Sequence, residues 1–154
     1  MRIRFRSAYI GLVLIALAVA ALAAALGSAL GATTSGARLK VRATHYGKAV
    51  FGPSGKVLYV FSADSRKSHC YGACASAWPP LVTRGKPIAG PGVRATLLGT
   101  TRRRNGKLQV TYNGHPLYYY VGDTPTAILC QHVNEHGGLW VIIKPNGRRN
   151  LSTG

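Results

Sequence analysis

The octapeptide VLYVFSAD (Val57–Asp64) returns later in the chain as PLYYYVGD (Pro116–Asp123). Leu58 falls on Leu117, Tyr59 on Tyr118, Phe61 on Tyr120 and Asp64 on Asp123. A chain that repeats itself in this way builds its fold from two like units, neither of which can bury its apolar face alone. Side chains alternate across a strand, so Tyr59 and Phe61 share one side, as do Tyr118 and Tyr120. Downstream, SAWPPLV (Ser76–Val82) lies loosely over GLWVII, which makes partners of Trp78 and Trp140. These two Trp, with the motif aromatics, are the expected core, and each Tyr and second aromatic is expected to pack on the Trp of its own unit. The repeat implies a mainly β, single small domain of two hairpin-based tandem repeats.

Turn chemistry places the hairpins. GPSG (Gly52–Gly55) separates two short apolar runs, with strands expected near 44–51 and 56–62. Asn113-Gly114, the strongest short hairpin signal, does the same for strands near 109–112 and 117–121. A last run, LWVIIKP, reads as a strand over 139–145, ended by Pro145. ACASAW suits one helical turn, stopped by Pro79-Pro80. Isolated hairpins are marginal, so the two units should close on each other with pseudo-twofold character. The expected organisation is a first repeat over 44–82, a Gly/Pro/Arg-rich connection over 83–107, a second repeat over 108–147 and a tail over 148–154.

Ahead of the repeats the chain has another character. Arg2, Arg4 and Arg6 precede a stretch from Ser7 to Gly36 without one charged residue. Residues 1–32 therefore read as a hydrophobic helix serving as signal peptide or membrane anchor, followed by a linker over 33–43. Both readings stay open. The apolar run from Ala8 to Leu30 matches the roughly 20 residues that cross a bilayer, while small residues near Gly31, Ala32 and Ala37 offer cleavage sites. In either case the arginines stay in the cytoplasm and the remainder is exported.

Charge narrows the partners. Twenty Lys and Arg stand against Asp64, Asp123 and Glu135, a formal net charge of +17, or +14 without the three leading arginines. Such a balance draws polyanions over long range. Outside the cytoplasm these are anionic envelope polymers and lipid headgroups. Nucleic acid does not suit an exported chain, and the tribasic TTRRRNGK (Thr100–Lys107) has no interleaved aromatic, so it reads as a solvated loop. Glu135 is ambiguous; in so basic a chain, pairing with a nearby Arg is its simplest role.

Three cysteines in an exported chain suggest one disulfide and one spare thiol. Cys70 and Cys74 can meet only across a distorted turn, because i, i+4 positions of a regular helix hold Cβ atoms about 5–6 Å apart, beyond the roughly 3.5–4.5 Å of a disulfide. Pairing with Cys130 is the alternative; the overlay sets Cys130 one residue out of step with Cys70. A sharper reading gathers His69, Cys130, His132 and His136, with Cys70 and Cys74, into a site for copper, zinc or haem. Against it, the spacing fits no familiar zinc signature, and Cys-x-x-Cys-His is absent. No cofactor is the leading expectation. Asp64 and Asp123 could act as a hydrolytic acid–base pair; the plainer account is that each carboxylate accepts backbone N–H bonds after its strand. No catalytic residue is assigned. His45 and His115 flank turns and read as surface residues.

The pattern Tyr-x-[Phe/Trp/Tyr]-x-x-Asp, present at Tyr59–Asp64 and Tyr118–Asp123, resembles that of the tandem secreted-repeat lipoproteins of bacteria. CYGACASAWPPL (Cys70–Leu81) and NEHGGLWVI (Asn134–Ile142) are similar to other recurring segments of that family. The resemblance spans roughly residues 46–147. It implies export, envelope association and tandem repeats, and names no activity. Two departures stand out: no Cys ends the apolar run to accept a lipid, and Cys130 is an additional thiol. The favoured function is a non-enzymatic envelope binding or structural module; a redox or metal-binding protein and a hydrolase are the alternatives.

Overall fold

Leu39, Val41 and Ala43 alternate with Arg38, Lys40 and Arg42, and this period-two pattern forms the first strand, β1 (Arg38–Thr44), in a computed structural model that describes residues 36–153. The linker expected over 33–43 is thus strand from Arg38 onward. The expected strand over 44–51 is instead a turn at His45-Tyr46 followed by β2 (Gly47–Phe51), antiparallel to β1 in the register Lys40↔Phe51 to Thr44↔Gly47. The hydrophobic segment of residues 1–32 lies outside the described residues. Among the described residues no helix is long and apolar enough to cross a membrane.

GPSG turns the chain as its composition demands: the Gly55 N–H donates to the Gly52 carbonyl and Phe51 faces Val57 across the turn. Then comes β3 (Tyr59–Phe61), shorter than the expected 56–62. The Cys-rich loop carries helix α1 (Ala73–Ala77), whose end before Pro79 follows from the missing proline N–H. Two short strands follow, β4 (Val82–Thr83) and β5 (Ile88–Ala89), the latter parallel to β1. A 3₁₀ turn at Ala95–Leu97 leads into β6 (Leu98–Arg102). The second hairpin pairs β6 with β7 (Leu108–Tyr112), and β7 turns at Asn113-Gly114 into β8 (His115–Pro116). Asn113 has φ 51° and Gly114 φ 78°, the left-handed pair such a turn requires. Residues 117–121 form no continuous strand; Tyr118 alone bridges to Tyr59 and to Pro80. The chain ends with β9 (Val133–Glu135) and β10 (Gly138–Ile142). The expected tail is docked: the Asn150 N–H donates to the Ile142 carbonyl and its amide to the Tyr46 carbonyl.

The centre is a ladder buried on both faces. Val57, Tyr59 and Phe61 point into one apolar cluster with Trp78, Tyr118, Trp140 and the disulfide. Leu58 and Val60 point into the other, with Val50, Leu81, Val110, Leu117 and Val141. The fold is mainly β, as the repeat requires, but the two copies are exchanged. β3 of the first repeat pairs with β10 of the second, Trp140 opposite Phe61. Reciprocally, the Tyr119 N–H donates to the Pro79 carbonyl and the Val121 N–H to the Ala77 carbonyl, so the second motif lies along the Trp-bearing segment of the first.

Candidate functional site

The two motifs meet at one point. The Tyr59 N–H donates to the Tyr118 carbonyl at 2.9 Å, and the Tyr118 N–H donates back to Tyr59 at 3.0 Å. This reciprocal pair marks the pseudo-twofold centre, and the side chains obey it. The Tyr59 hydroxyl donates to Asp123 Oδ2 at 2.7 Å, and the Tyr118 hydroxyl to Asp64 Oδ2 at 2.7 Å. Each Tyr therefore binds the Asp of the other repeat. The second oxygens turn back locally: Asp64 Oδ1 accepts the His69 N–H at 2.7 Å, and Asp123 Oδ1 accepts the Leu129 N–H at 2.9 Å.

The aromatic packing is crossed as well. Trp78 and Trp140 stack at 4.1 Å with 6° between their planes. Each motif Tyr stands edge-on to its own repeat's Trp, Tyr59 to Trp78 at 5.2 Å and Tyr118 to Trp140 at 5.1 Å. The second aromatic goes to the other repeat's Trp: Phe61 stacks on Trp140 at 4.2 Å, and Tyr120 tilts over Trp78 at 4.8 Å. The expectation that each unit packs on its own Trp is thus corrected for Phe61 and Tyr120. Among the described residues Glu135 has no arginine partner; its Oε2 accepts the Trp78 indole N–H at 3.0 Å.

Burial sets the electrostatics. Desolvation raises the carboxyls of Asp64 and Asp123 above their ordinary value, opposed by the backbone N–H bonds and then by the Tyr hydroxyls. The hydroxyls of Tyr59 and Tyr118 are pushed far above the tyrosine range, by burial first and then by their carboxylate partners. Both phenols stay neutral donors.

Around Asp64 the network extends in a way the sequence did not announce. The Tyr118 hydroxyl also lies 2.7 Å from Ser68 Oγ. Arg103 is buried, only 5% exposed, and donates to Ser68 Oγ, Gln109 Oε1 and the Cys70 carbonyl at 2.6–2.8 Å. Its guanidinium also lies 4.5 Å from the centre of the Tyr71 ring. Reading Arg103 as part of a solvated loop is corrected: one of the three consecutive arginines turns inward, where the Cys loop offers a carbonyl. The first repeat has Ala49 where the second has Gln109, so the two halves of the centre are chemically unequal.

The cysteines pair as Cys70–Cys74, with Cα atoms 5.3 Å apart, and Cys130 is free. The carboxylate bonds also revise the register. His69 and Leu129 occupy matching places, so Cys130 matches Cys70 and the additional residue is absorbed before it, where Thr124 Oγ1 accepts the Ala127 N–H. Cys130 packs against the Trp cluster, and burial raises its thiol pKa, which disfavours the thiolate a metal needs. His69 is exposed, its Nδ1 2.8 Å from the Ala63 carbonyl, while His132 and His136 hold positive φ in the loop flanking β9. Among the described residues no three His, Cys, Asp or Glu stand together as metal ligands. The structure does not gather His69, Cys130, His132 and His136. Asp64 borders a cleft of about 720 Å³ with Arg66, Thr96 and His115; Asp123 does not line it, so the two carboxylates share no common cleft there. The structure brings Tyr59, Phe61, Asp64, Tyr118, Tyr120, Asp123, Trp78 and Trp140 together as an interlock, with the disulfide packed against it.

No curated protein and no solved structure matches the chain. A family described as a secreted repeat of unknown function matches twice, over residues 40–82 and 99–144, together more than half of the sequence. Each match contains one full Tyr-to-Trp framework, Tyr59 to Trp78 in the first and Tyr118 to Trp140 in the second, with the crossed Tyr–Asp centre formed between them. The chain belongs to this secreted-repeat family.

Proposed function

We propose that the protein is an exported, non-enzymatic envelope module whose basic surface holds anionic polymers or lipid headgroups. One observation carries the reading. All three carboxylates of the chain are engaged by neutral donors: Asp64 and Asp123 by Tyr hydroxyls and backbone N–H groups, Glu135 by an indole. The cations of β1, of the β4–β5 segment and of the β6–β7 turn, including the exposed Arg38, Lys40, Arg84, Lys86, Arg102, Arg104 and Lys107, thus face solvent with no acidic side chain among the described residues to neutralise them. A surface of one sign attracts polyanions and releases them as salt screens it, over a Debye length of about 10 Å at 0.1 M.

The test is cosedimentation of the full chain with anionic wall polymer and with anionic vesicles across a salt series. Binding should be strong at low salt and fall steeply between about 50 and 500 mM. Equal binding to neutral and anionic material, or no dependence on salt, would refute the reading.

A further inference from the structure

A second cleft, about 820 Å³, lies between the start of β1, β4 and the start of β7. Its volume falls within the range that holds small ligands, about 300–1,000 Å³. The walls are fixed by backbone: the Ala37 N–H donates to Thr83 Oγ1 at 3.0 Å, the Ile88 N–H donates to the Ala37 carbonyl, and Val82 and Thr83 pair with Gln109 and Leu108. Gly36 closes one corner, where a Cβ would run into the Lys86 carbonyl. The lining divides sharply by chemistry. Arg38, Arg84 and Lys107 contribute three cations, and Pro53, Val82 and Leu108 an apolar floor. Val82 is 43% exposed, a large aliphatic side chain left uncovered on an otherwise charged surface. The cleft has neither a carboxylate nor an aromatic ring, and the Thr83 hydroxyl is already occupied, donating to the Gly85 carbonyl at 2.7 Å.

That combination selects a ligand class. A polysaccharide asks for rings to stack on and free hydroxyl or amide side chains, and this cleft has no ring, no amide side chain and one hydroxyl that is already engaged. Free phosphate would use the cations and leave the apolar floor wet. An amphiphile with an anionic head satisfies both, because the cations meet the head and the floor takes hydrocarbon from water. The cleft beside Asp64 lacks this complementarity, since a carboxylate stands in its lining.

We propose that this cleft is a binding site for an anionic phospholipid, with its phosphate held by Arg38, Arg84 and Lys107 and its acyl chain laid over Val82 and Leu108. The inference rests on the envelope reading above and makes it local: it replaces a diffuse basic surface with one site.

The experiment uses the full chain in non-ionic detergent micelles and native mass spectrometry to count bound lipid. Phosphatidylglycerol is titrated against phosphatidylcholine. Three variants are compared with the natural chain: R38Q/R84Q/K107Q in the cleft, K40Q/K48Q/R66Q elsewhere with the same loss of charge, and Val82→Ser. All seven side chains are at the surface, and unchanged far-UV circular dichroism confirms the fold. One phosphatidylglycerol should bind in preference to phosphatidylcholine. The cleft triple variant should weaken it about tenfold or more; the matched variant should change it far less, and Val82→Ser should weaken the lipid without affecting soluble glycerol phosphate. Equal losses in the two triple variants overturn the site and leave the general basic surface standing. Glycerol phosphate binding as tightly as the lipid overturns the lipid as occupant. No preference for phosphatidylglycerol in the natural chain overturns both the site and lipid binding by the surface at large, whereas wall-polymer cosedimentation remains an independent measure of the envelope reading.

Discussion

Asp123 is 2% exposed, and its two oxygens have separate partners, one in its own loop and one in the opposite repeat. A carboxylate so placed makes stability depend on pH, and the sign follows from the direction of its shift. Burial raises the carboxyls of Asp123 and Asp64 in the folded chain, above the ~3.9 of an unfolded one. The folded state then binds protons more readily than the unfolded state. Stability from these groups is therefore fully present below the ordinary carboxylate range, and is lost as pH rises through it toward the raised folded values. His115 acts in the opposite sense, because burial and then Arg149 lower its pKa; its contribution is present above the ordinary histidine value and fades on acidification. Comparison with Asp123→Asn removes the histidine from the question. In urea unfolding between pH 3.5 and 7.5, the natural chain should gain on Asp123→Asn as pH falls. A gain as pH rises would show that the Tyr59 and Leu129 bonds outweigh burial. At this scale part of the interlock was legible in the sequence and part was not. The repeat placed the Tyr, Asp and Trp, but Arg103 sat in a basic run whose composition resembles a solvated loop, and only the carbonyl of Cys70 and the amide of Gln109 explain why it turns inward.

Turns were the most legible elements, because Gly-Pro-Ser-Gly and Asn-Gly impose their backbone locally. β1 was legible in principle: its alternation of Leu39, Val41 and Ala43 with cations is complete, but the cations and the preceding Gly/Ser-rich segment gave it the look of a linker. What local pattern does not carry is pairing. Nothing in VLYVFSAD says whether it will lie beside SAWPPLV in its own copy or beside GLWVII in the other, since both offer an extended edge and a Trp. The exchange is decided by the stack of Trp78 on Trp140, which brings each motif's second aromatic onto the other copy's indole. Trp78 is fully buried there and touches Tyr59, Tyr120 and Trp140. Trp78→Ala should cost about 3–5 kcal/mol of unfolding free energy, in the range of a large aromatic removed from a packed core. Trp78→Phe keeps a ring and loses the bond to Glu135, and should cost clearly less. Denaturant titrations decide it; equal costs would mean that the indole N–H, rather than the stack, holds the element.

For the molecule as a whole the exchange makes the repeats inseparable. β3 finds its ladder in β10, the second motif finds its ladder in residues 77–81, and the central bridge joins Tyr59 to Tyr118. Contacts this distant along the chain form late and together, so folding should be slow and all-or-none. Cut in the exposed Pro91-Gly92 turn, fragments 36–91 and 92–154 should each lack native circular dichroism at low concentration, and their equimolar mixture should recover it. A folded monomeric fragment would contradict the exchange. The crossed bonds bear equally on how many copies such a fold needs. The motif contacts that cross the centre come in mirror pairs: Tyr59 to Asp123 and Tyr118 to Asp64, Phe61 on Trp140 and Tyr120 on Trp78. A polypeptide holding one copy has the same groups to satisfy and only a second copy of itself to satisfy them. A single-copy chain is therefore expected to associate as a strand-exchanged homodimer, whereas here both copies lie in one chain and the two sides of the centre differ, with Arg103, Ser68 and Gln109 near Asp64 and Ala49 at the place matching Gln109.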